Sequence, residues 1–262
     1  MIYGFIGLGN MAGAIIRGMR ASETFRDMEI CGYEKHPEKA RALNVLAFDS
    51  LAKFVNFSDV IVLAVKPQAL EPLLAELKGI LRPDKLLVSI AAGKACSYYE
   101  TACPGIPFVR VMPNINAAAG ASVTAVCGGS KATPEHVRIV RELFQAIGSV
   151  YELPEYQLSA FSAVAGAAPA YTYLYIDALA SSAVLAGLPR AMAQDIAQDM
   201  VLGSAKYLKE SGTHPLALAD RVCSPGGTTI EGLHKLRELG FEHAVYQAIA
   251  AVIEKDKRLG GV

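Results

Sequence analysis

The stretch Ile2-Tyr-Gly-Phe-Ile-Gly-Leu-Gly-Asn-Met-Ala12 runs from a β-strand pattern through a glycine-rich turn into a helix pattern. In the spacing Gly7-x-Gly9-x-x-Ala12, the first glycine makes the tight turn and the second lets the backbone approach a pyrophosphate. The small Ala12 allows the helix to pack closely on the strand. Because this spacing follows a predicted strand and opens a predicted helix, it indicates a dinucleotide-binding turn.

Beyond this turn, short β-branched runs alternate with helical stretches. Such alternation predicts a mostly parallel sheet with helices on both faces. The run Asp59–Val65 is apolar on both faces, which is typical of a central parallel strand. Strands are predicted at Ile2–Ile6, Glu29–Tyr33, Val60–Val65, Leu86–Ala91, Phe108–Met112 and Val123–Cys127, and helices at Met11–Met19, Pro37–Leu43, Ala69–Ile80 and Pro134–Ile147.

After Pro154 the pattern changes, because no strand signal follows. We therefore expect an α/β protein with a Rossmann-like domain at residues 1–154 and an all-helical domain at residues 155–262. The segment Leu158–Leu188 carries one charge, Asp177, and its alanine, glycine and proline content favours burial inside an oligomer over a membrane span. Helices are predicted at Leu158–Ala186, Arg190–Glu210, Pro215–Val222, Thr229–Leu239 and Glu242–Leu259.

Composition excludes several classes of partner. The 25 Lys and Arg residues equal the 25 Asp and Glu residues, so no net field favours nucleic acid. The five cysteines are odd in number and scattered, which favours reduced thiols in a cytoplasm over a disulfide frame. Neither they nor the five histidines show metal-ligand spacing, so we expect no metal. No signal-peptide pattern precedes the glycine turn, and we expect no membrane partner.

The loop after the second strand bears on the cofactor. An acidic residue at the end of this strand bonds the adenosine ribose 2′-hydroxyl and disfavours a 2′-phosphate, so Glu34 favours NAD. Lys35, His36 and Lys39 could offset a phosphate, or the loop could be a solvated run of charges. A second loop, Ala64-Val-Lys-Pro-Gln68, leaves the central strand, and its Lys66 could face cofactor phosphates, an anionic substrate or solvent.

A third feature, Val222-Cys-Ser-Pro-Gly-Gly-Thr-Thr-Ile230, combines small and hydroxyl residues just where a helix should begin. Free N–H groups at a helix N-terminus, with nearby hydroxyls, suit a small anion such as a carboxylate. The alternative is a capped turn, since Ser, Gly and Thr favour helix starts. A cofactor turn at one end of the chain and an anion loop near the other indicate an enzyme with a small-molecule substrate.

Six motifs follow one another along the chain: Gly-x-Gly-Asn-Met-Ala at 7–12, Ala-Val-Lys-Pro-Gln at 64–68, Ala-Ala-Gly at 91–93, Arg-Val-Met-Pro-Asn at 110–114, Pro-Ala-Tyr at 169–171 and Ser-Pro-Gly-Gly-Thr-Thr at 224–229. In this order they resemble pyrroline-5-carboxylate reductase over nearly the whole chain. The resemblance implies NADPH-dependent reduction of 1-pyrroline-5-carboxylate to L-proline, with NADH as the other candidate donor. It also implies a helical dimerisation domain, a homodimer and, commonly in the family, a pentamer of dimers.

The resemblance assigns roles to particular residues. The Thr229 hydroxyl reaches the ring nitrogen, and Glu155 falls at the spacing of an acidic substrate-site residue. The substrate carboxylate is cradled by Ser224, Gly226, Gly227 and Thr228. The cofactor is held by Gly7, Leu8, Gly9, Asn10, Met11 and Ala12, by Ala64, Val65, Lys66 and Pro67, and at the nicotinamide by Ala91, Ala92 and Gly93. Glu34 and Lys35 are added as cofactor candidates from their place at the end of the second predicted strand.

This chain departs from the family pattern at Ala167 and Ala168, which replace small polar or flexible residues, and at Asn116, where a proline is usual. Two other hypotheses remain. A β-hydroxyacid dehydrogenase would use a lysine acid from the second domain, but no lysine lies between Pro154 and Ala205. A non-enzymatic NAD(P)-sensing protein would have no reason to keep the Ser-Pro-Gly-Gly-Thr-Thr loop.

Overall fold

A computed structural model describes residues 1–258 of the chain. They separate into two units: Met1–Gly166 together with the residues from Val252 onward, and Ala167–Ala251. The predicted boundary after Pro154 stays a prediction. Leu259, the last residue of the final predicted helix, lies outside the described residues.

The first unit is built on one sheet, in which eight strands of residues 1–258 take the order β3-β2-β1-β4-β5-β6-β7-β8. All neighbouring pairs are parallel except β6 and β7. The predicted mostly parallel sheet is therefore confirmed. The strands are β1 Ile2–Ile6, β2 Glu29–Tyr33, β3 Leu46–Phe48, β4 Val60–Leu63, β5 Leu86–Ser89, β6 Phe108–Met112, β7 Ser122–Gly128 and β8 Gly148–Glu152.

Helices cover both faces of this sheet. On β4, Val60 and Val62 belong to one apolar layer, whereas Ile61 and Leu63 belong to the other. This alternation is the two-residue period of a strand that is buried on both sides. The helices are α1 Asn10–Ala21, α2 Pro37–Ala42, α3 Leu51–Phe57, α4 Leu70–Lys78, α5 Cys96–Ala102, α6 Pro134–Gln145 and α7 Leu158–Phe161, followed by a π-helical segment at Ser162–Ala167.

Four elements escaped the sequence analysis: β3, α3, α5 and β8. The β3 strand has three residues at one edge of the sheet, and β8 begins with a glycine and serine at the other edge. The apolar run of β3 is only three residues long, and the sequence of β8 has no continuous apolar run. Two tyrosines and a threonine within seven residues, with no side-chain cap, weaken the helix signal of α5.

Asn114 stabilises the segment where the π-helix forms. A proline at position 169 has no N–H for the carbonyl four residues earlier, that of Ala165. The Asn114 Nδ2 donates to this oxygen at 2.9 Å, and its Oδ1 accepts from the Val123 N–H at 3.1 Å. Because Asn114 is buried, water does not reach these groups, and the side-chain amide supplies the hydrogen bonds that they would otherwise lack.

The second unit is helical, and residues 155–258 contain no strand. Helices α8 and α9 pack together on a small buried set of Ala180, Ala193 and Ala197. Many of its large apolar side chains are exposed, including Leu185 at 91%. Exposed apolar side chains in such number favour a role in interaction with another surface. The elements are α8 Ala168–Leu185, α9 Arg190–Ser211, α10 Pro215–Val222, α11 Thr228–Glu238 and α12 Phe241–Arg258, the last of which continues into the first unit.

A membrane-spanning helix would need a long apolar run. Within residues 1–258, none of the helices combines the required length with the required hydropathy.

Candidate functional site

The glycine turn that follows β1 packs against the ends of the two neighbouring strands, β2 and β4. The Gly7 N–H donates to the Tyr33 carbonyl at 3.0 Å, and Gly7 has a left-handed φ of +87°. A Cβ at this position would lie 2.9 Å from the Ala64 carbonyl oxygen, so a larger residue does not fit. A Cβ on Gly9 would meet nothing within 4 Å. Protein atoms therefore fill the space beside Gly7, whereas the space beside Gly9 is free for a ligand.

Helix α1 begins directly after this opening. Its N-cap is Gly9, and no side chain caps the free N–H groups of the first turn. Uncapped N–H groups and the helix dipole attract an anion. The residues present therefore fit a dinucleotide pyrophosphate.

The other predicted cofactor residues of the first unit lie at the same edge of the sheet. Ala64–Pro67 follow β4, and Ala91–Gly93 follow β5, whose neighbour in the sheet is β4. Gly93 has a φ of +74°, and a Cβ there would meet nothing within 4 Å. The strand order reverses between β1 and β4, which is where open α/β sheets bind their ligands.

A cleft of about 350 Å³ opens at this edge beside β1 and β2. Most of its lining residues are apolar, and Glu34, Lys35 and Glu76 are the charged ones. Its lining residues are Ile6, Gly7, Tyr33, Glu34, Lys35, Val65, Ala69, Pro72, Leu73 and Glu76.

The Glu34 carboxylate is fixed at the rim of this cleft. Its Oε2 accepts from the Leu8 N–H at 2.9 Å and lies 3.3 Å from the Lys39 Nζ, while Oε1 accepts from the His36 N–H at 3.2 Å. Burial alone would raise the pKa of Glu34, but the Leu8 bond, Lys39 and the His36 bond hold it below the ordinary value. The group is therefore a charged carboxylate beside the glycine turn.

Glu155 lies in a second polar cluster of the first unit. Its Oε1 accepts from the buried Arg110 Nη1 at 2.9 Å and from the Cys96 N–H, the first of α5, at 2.6 Å. Burial raises the pKa of Glu155, but these hydrogen bonds and the Arg110 charge outweigh it and lower the pKa overall. The sequence analysis gave Arg110 no role. The feature that could have revealed it is a single charged residue within the otherwise apolar run of β6.

The Ser224–Thr229 loop belongs to the second unit. It turns at Gly226, with φ +66°, and the Gly227 N–H donates to the Ser224 carbonyl at 3.0 Å. A Cβ on Gly227 would lie 2.2 Å from the Ser224 Oγ, so a larger residue here would have to displace that hydroxyl. Helix α11 begins at Thr228 with no side-chain cap, one residue earlier than predicted.

The hydroxyls of this loop remain available to a ligand. Thr228 and Thr229 are exposed, and neither hydroxyl bonds to another group within residues 1–258. The uncapped N–H groups and hydroxyls of one helix start can therefore bind a carboxylate and a further polar atom. The expected roles of Ser224, Gly226, Gly227, Thr228 and Thr229 stay predictions.

The sheet topology and the glycine turn at its switch point define a protein with a Rossmann-type dinucleotide-binding domain. Comparison with known proteins gives the narrower class. The pyrroline-5-carboxylate reductase of Synechocystis sp. (strain ATCC 27184 / PCC 6803 / Kazusa) is 39% identical over 262 residues, covering 98% of this chain and 97% of that protein. The chain belongs to the pyrroline-5-carboxylate reductase family.

Family models and solved structures agree with this assignment. Residues 155–259 match a model described as pyrroline-5-carboxylate reductase dimerisation, and residues 2–93 match one described as NADP oxidoreductase coenzyme F420-dependent. The Streptococcus pyogenes 1-pyrroline-5-carboxylate reductase structure is 36% identical, with a TM-score of 0.88 and 98% of each chain covered. A Plasmodium falciparum pyrroline carboxylate reductase, solved with NADP bound, is 28% identical with a TM-score of 0.88, covering 100% of this chain and 98% of that one.

Proposed function

We propose that this protein reduces 1-pyrroline-5-carboxylate to L-proline with a reduced nicotinamide dinucleotide, the last step of proline biosynthesis. The observation that carries the proposal is a family relationship spanning 98% of the chain, together with intact cofactor-turn and anion-loop motifs. NADPH and NADH both carry the pyrophosphate and nicotinamide groups that the sheet edge would hold.

In this proposal the first unit orients the cofactor. Gly7, Leu8, Gly9, Asn10, Met11 and Ala12 hold the pyrophosphate at the start of α1. Ala64, Val65, Lys66 and Pro67 line the groove beside it. Ala91, Ala92 and Gly93 leave room for the nicotinamide, since nothing lies within 4 Å of a Cβ built on Gly93. When bound, the cofactor supplies the hydride, and the protein supplies position and electrostatics.

The helix start of α11 binds the substrate. Ser224, Gly226, Gly227 and Thr228 cradle the carboxylate, which the positive end of the helix dipole favours. The hydride adds to the ring carbon of the C=N bond, and the π electrons of that bond become the lone pair of the amine nitrogen. An iminium accepts hydride far more readily than a neutral imine, so the nitrogen must keep its proton. The Thr229 hydroxyl orients that nitrogen.

Glu155 contributes an acidic group to the substrate site. Its Oε1 is committed to Arg110 and to the Cys96 N–H, which leaves Oε2 for a ligand. The bond to the Cys96 N–H also holds the start of α5, the helix that follows the Ala91–Gly93 turn. Removing the carboxylate therefore affects both the substrate contact and the position of this turn.

The helical domain forms the dimer, and dimers assemble further into a pentamer of dimers. The dimer is supported by the dimerisation family model over residues 155–259 and by the exposed apolar side chains of α8 and α9, whereas the pentamer of dimers rests on the resemblance to the family. Burying such side chains against a second copy is favourable by about 25 cal/mol per Å².

Turnover tests the proposal directly. Purified protein is mixed with NADPH or NADH, and loss of the reduced nicotinamide is followed before and after adding pyrroline-5-carboxylate. We expect oxidation only with substrate present, and formation of L-proline in equal amount by chromatography. A folded sample that binds either cofactor but turns over with neither would contradict the enzymatic assignment.

A further inference from the structure

We propose that Glu34 makes this enzyme select NADH over NADPH, an inference that rests on the proposed function. The resemblance to the family favours NADPH. The geometry around the end of β2 points to the opposite preference in this chain.

The position of the carboxylate is the first argument. In Rossmann-type domains the adenosine ribose lies at the end of the second strand, beside the glycine turn. Glu34 follows β2 directly, and its bond to the Leu8 N–H fixes the carboxylate on that turn. Its side chain is only 10% exposed, so it cannot swing into solvent to make room for another anion. Its lowered pKa keeps it ionised at neutral pH.

The chemistry of the two cofactors is the second argument. NADH presents a ribose 2′-hydroxyl, which can donate to a carboxylate oxygen. NADPH presents a 2′-phosphate at the same carbon, an acceptor group with close to two negative charges at neutral pH. Repulsion between this phosphate and a fixed, largely buried carboxylate is screened less than it would be in water. A second acid, Glu76, lines the same cleft.

The nearby cations do not reverse this preference. The Lys39 Nζ lies 3.3 Å from the Glu34 Oε2 and so offsets the charge of Glu34 itself. His36 faces Glu38 at 3.4 Å, which leaves Lys35 as the cation on the cleft wall. Positions 34–39 contain no arginine, the residue whose planar fork binds phosphate with two parallel bonds.

Equilibrium binding tests the inference without turnover. NADH and NADPH are titrated separately with protein in the absence of substrate, and nicotinamide fluorescence gives each Kd. For the natural protein we expect NADH to bind about tenfold or more tightly than NADPH, a difference of about 1.4 kcal/mol or more. Glu34→Gln keeps an acceptor for the Leu8 N–H but removes the charge, so the two Kd values should approach each other, chiefly through tighter NADPH binding. Glu38→Gln makes the same charge change away from the cleft lining and should leave the ratio within about twofold.

Results that differ from these expectations separate the inference from the proposed function. Natural protein that binds NADPH as tightly as NADH overturns the inference and leaves the proposed function standing. Equal weakening of both cofactors by Glu34→Gln also overturns it, because Glu34 then only supports the turn through Leu8. Folded natural protein that binds neither cofactor removes the proposed function itself. If Glu34→Gln does not fold, the Kd ratio of the natural protein decides.

Discussion

Replacing Thr229 with valine separates a catalytic hydroxyl from a structural one. Thr229 lies in the first turn of α11, it is exposed, and its hydroxyl makes no bond within residues 1–258. The helix is capped by Gly227 without a side-chain hydrogen bond, so no cap is lost. Valine and threonine have similar helix propensity. The free energy of unfolding should therefore change by less than about 0.5 kcal/mol, the usual range for surface substitutions.

The expected effect on the reaction is much larger. A hydroxyl that orients the imine nitrogen, or relays a proton to it, is worth roughly 10²–10⁴-fold in rate if it contributes as a general acid does. At 1.36 kcal/mol for each factor of ten, the barrier rises by about 2.7–5.4 kcal/mol. The Kd for cofactor should stay nearly unchanged, because the cofactor turn is in the first unit.

One preparation of the variant answers both questions, through steady-state rates and a thermal melt. Thr228→Val is the matched comparison, since it makes the same change one residue earlier, where we expect a rise in KM through the substrate carboxylate. Natural turnover in Thr229→Val would remove its hydroxyl from the mechanism. A loss of about 0.5–2 kcal/mol of stability with turnover intact would mean that the hydroxyl caps the helix after all.

Three further outcomes are expected. Asn114→Ala should lower the free energy of unfolding by about 2–5 kcal/mol in urea titrations, because the buried Ala165 carbonyl and the part-buried Val123 N–H lose their bonds. Asn116→Ala, which removes no such bond, is the control, and equal losses in the two variants would contradict the reasoning. The lowered pKa of Glu155 means that its pairing with Arg110 stabilises the fold fully above the unfolded carboxyl pKa of about 4.3 and less as pH falls through the folded value. The stability gap between natural protein and Glu155→Gln should therefore shrink on acidification in melts across pH, and a gap independent of pH would refute the assignment. Light scattering at micromolar concentration should show a dimer or a larger assembly, whereas a stable monomer would contradict the role given to the apolar helical surface.

The sequence was most informative where one physical requirement governs several neighbouring residues. The turn at Gly7–Ala12 needs glycine for a left-handed backbone and a small residue for close packing, so its sequence pattern was enough to predict it. The β4 strand could be predicted because burial on both faces requires an unbroken apolar run. The edge strands β3 and β8 were not, because an edge needs neither length nor continuous hydrophobicity. Pairing with a neighbour is what makes them strands.

What the sequence by itself determined is the alternation of central strands and main helices in the first part of the chain, the helical character of the second part, and the glycine turn at residues 7–12, since each depends on local spacing and conformational preference. The tertiary structure alone decided which distant groups meet. It fixed the Glu34 carboxylate on the Leu8 N–H, joined Glu155 to Arg110 and to the start of α5, and placed Asn114 against the Ala165 carbonyl. The physical reason is that a buried polar group must find a partner somewhere, but which partner it finds depends on how the chain packs.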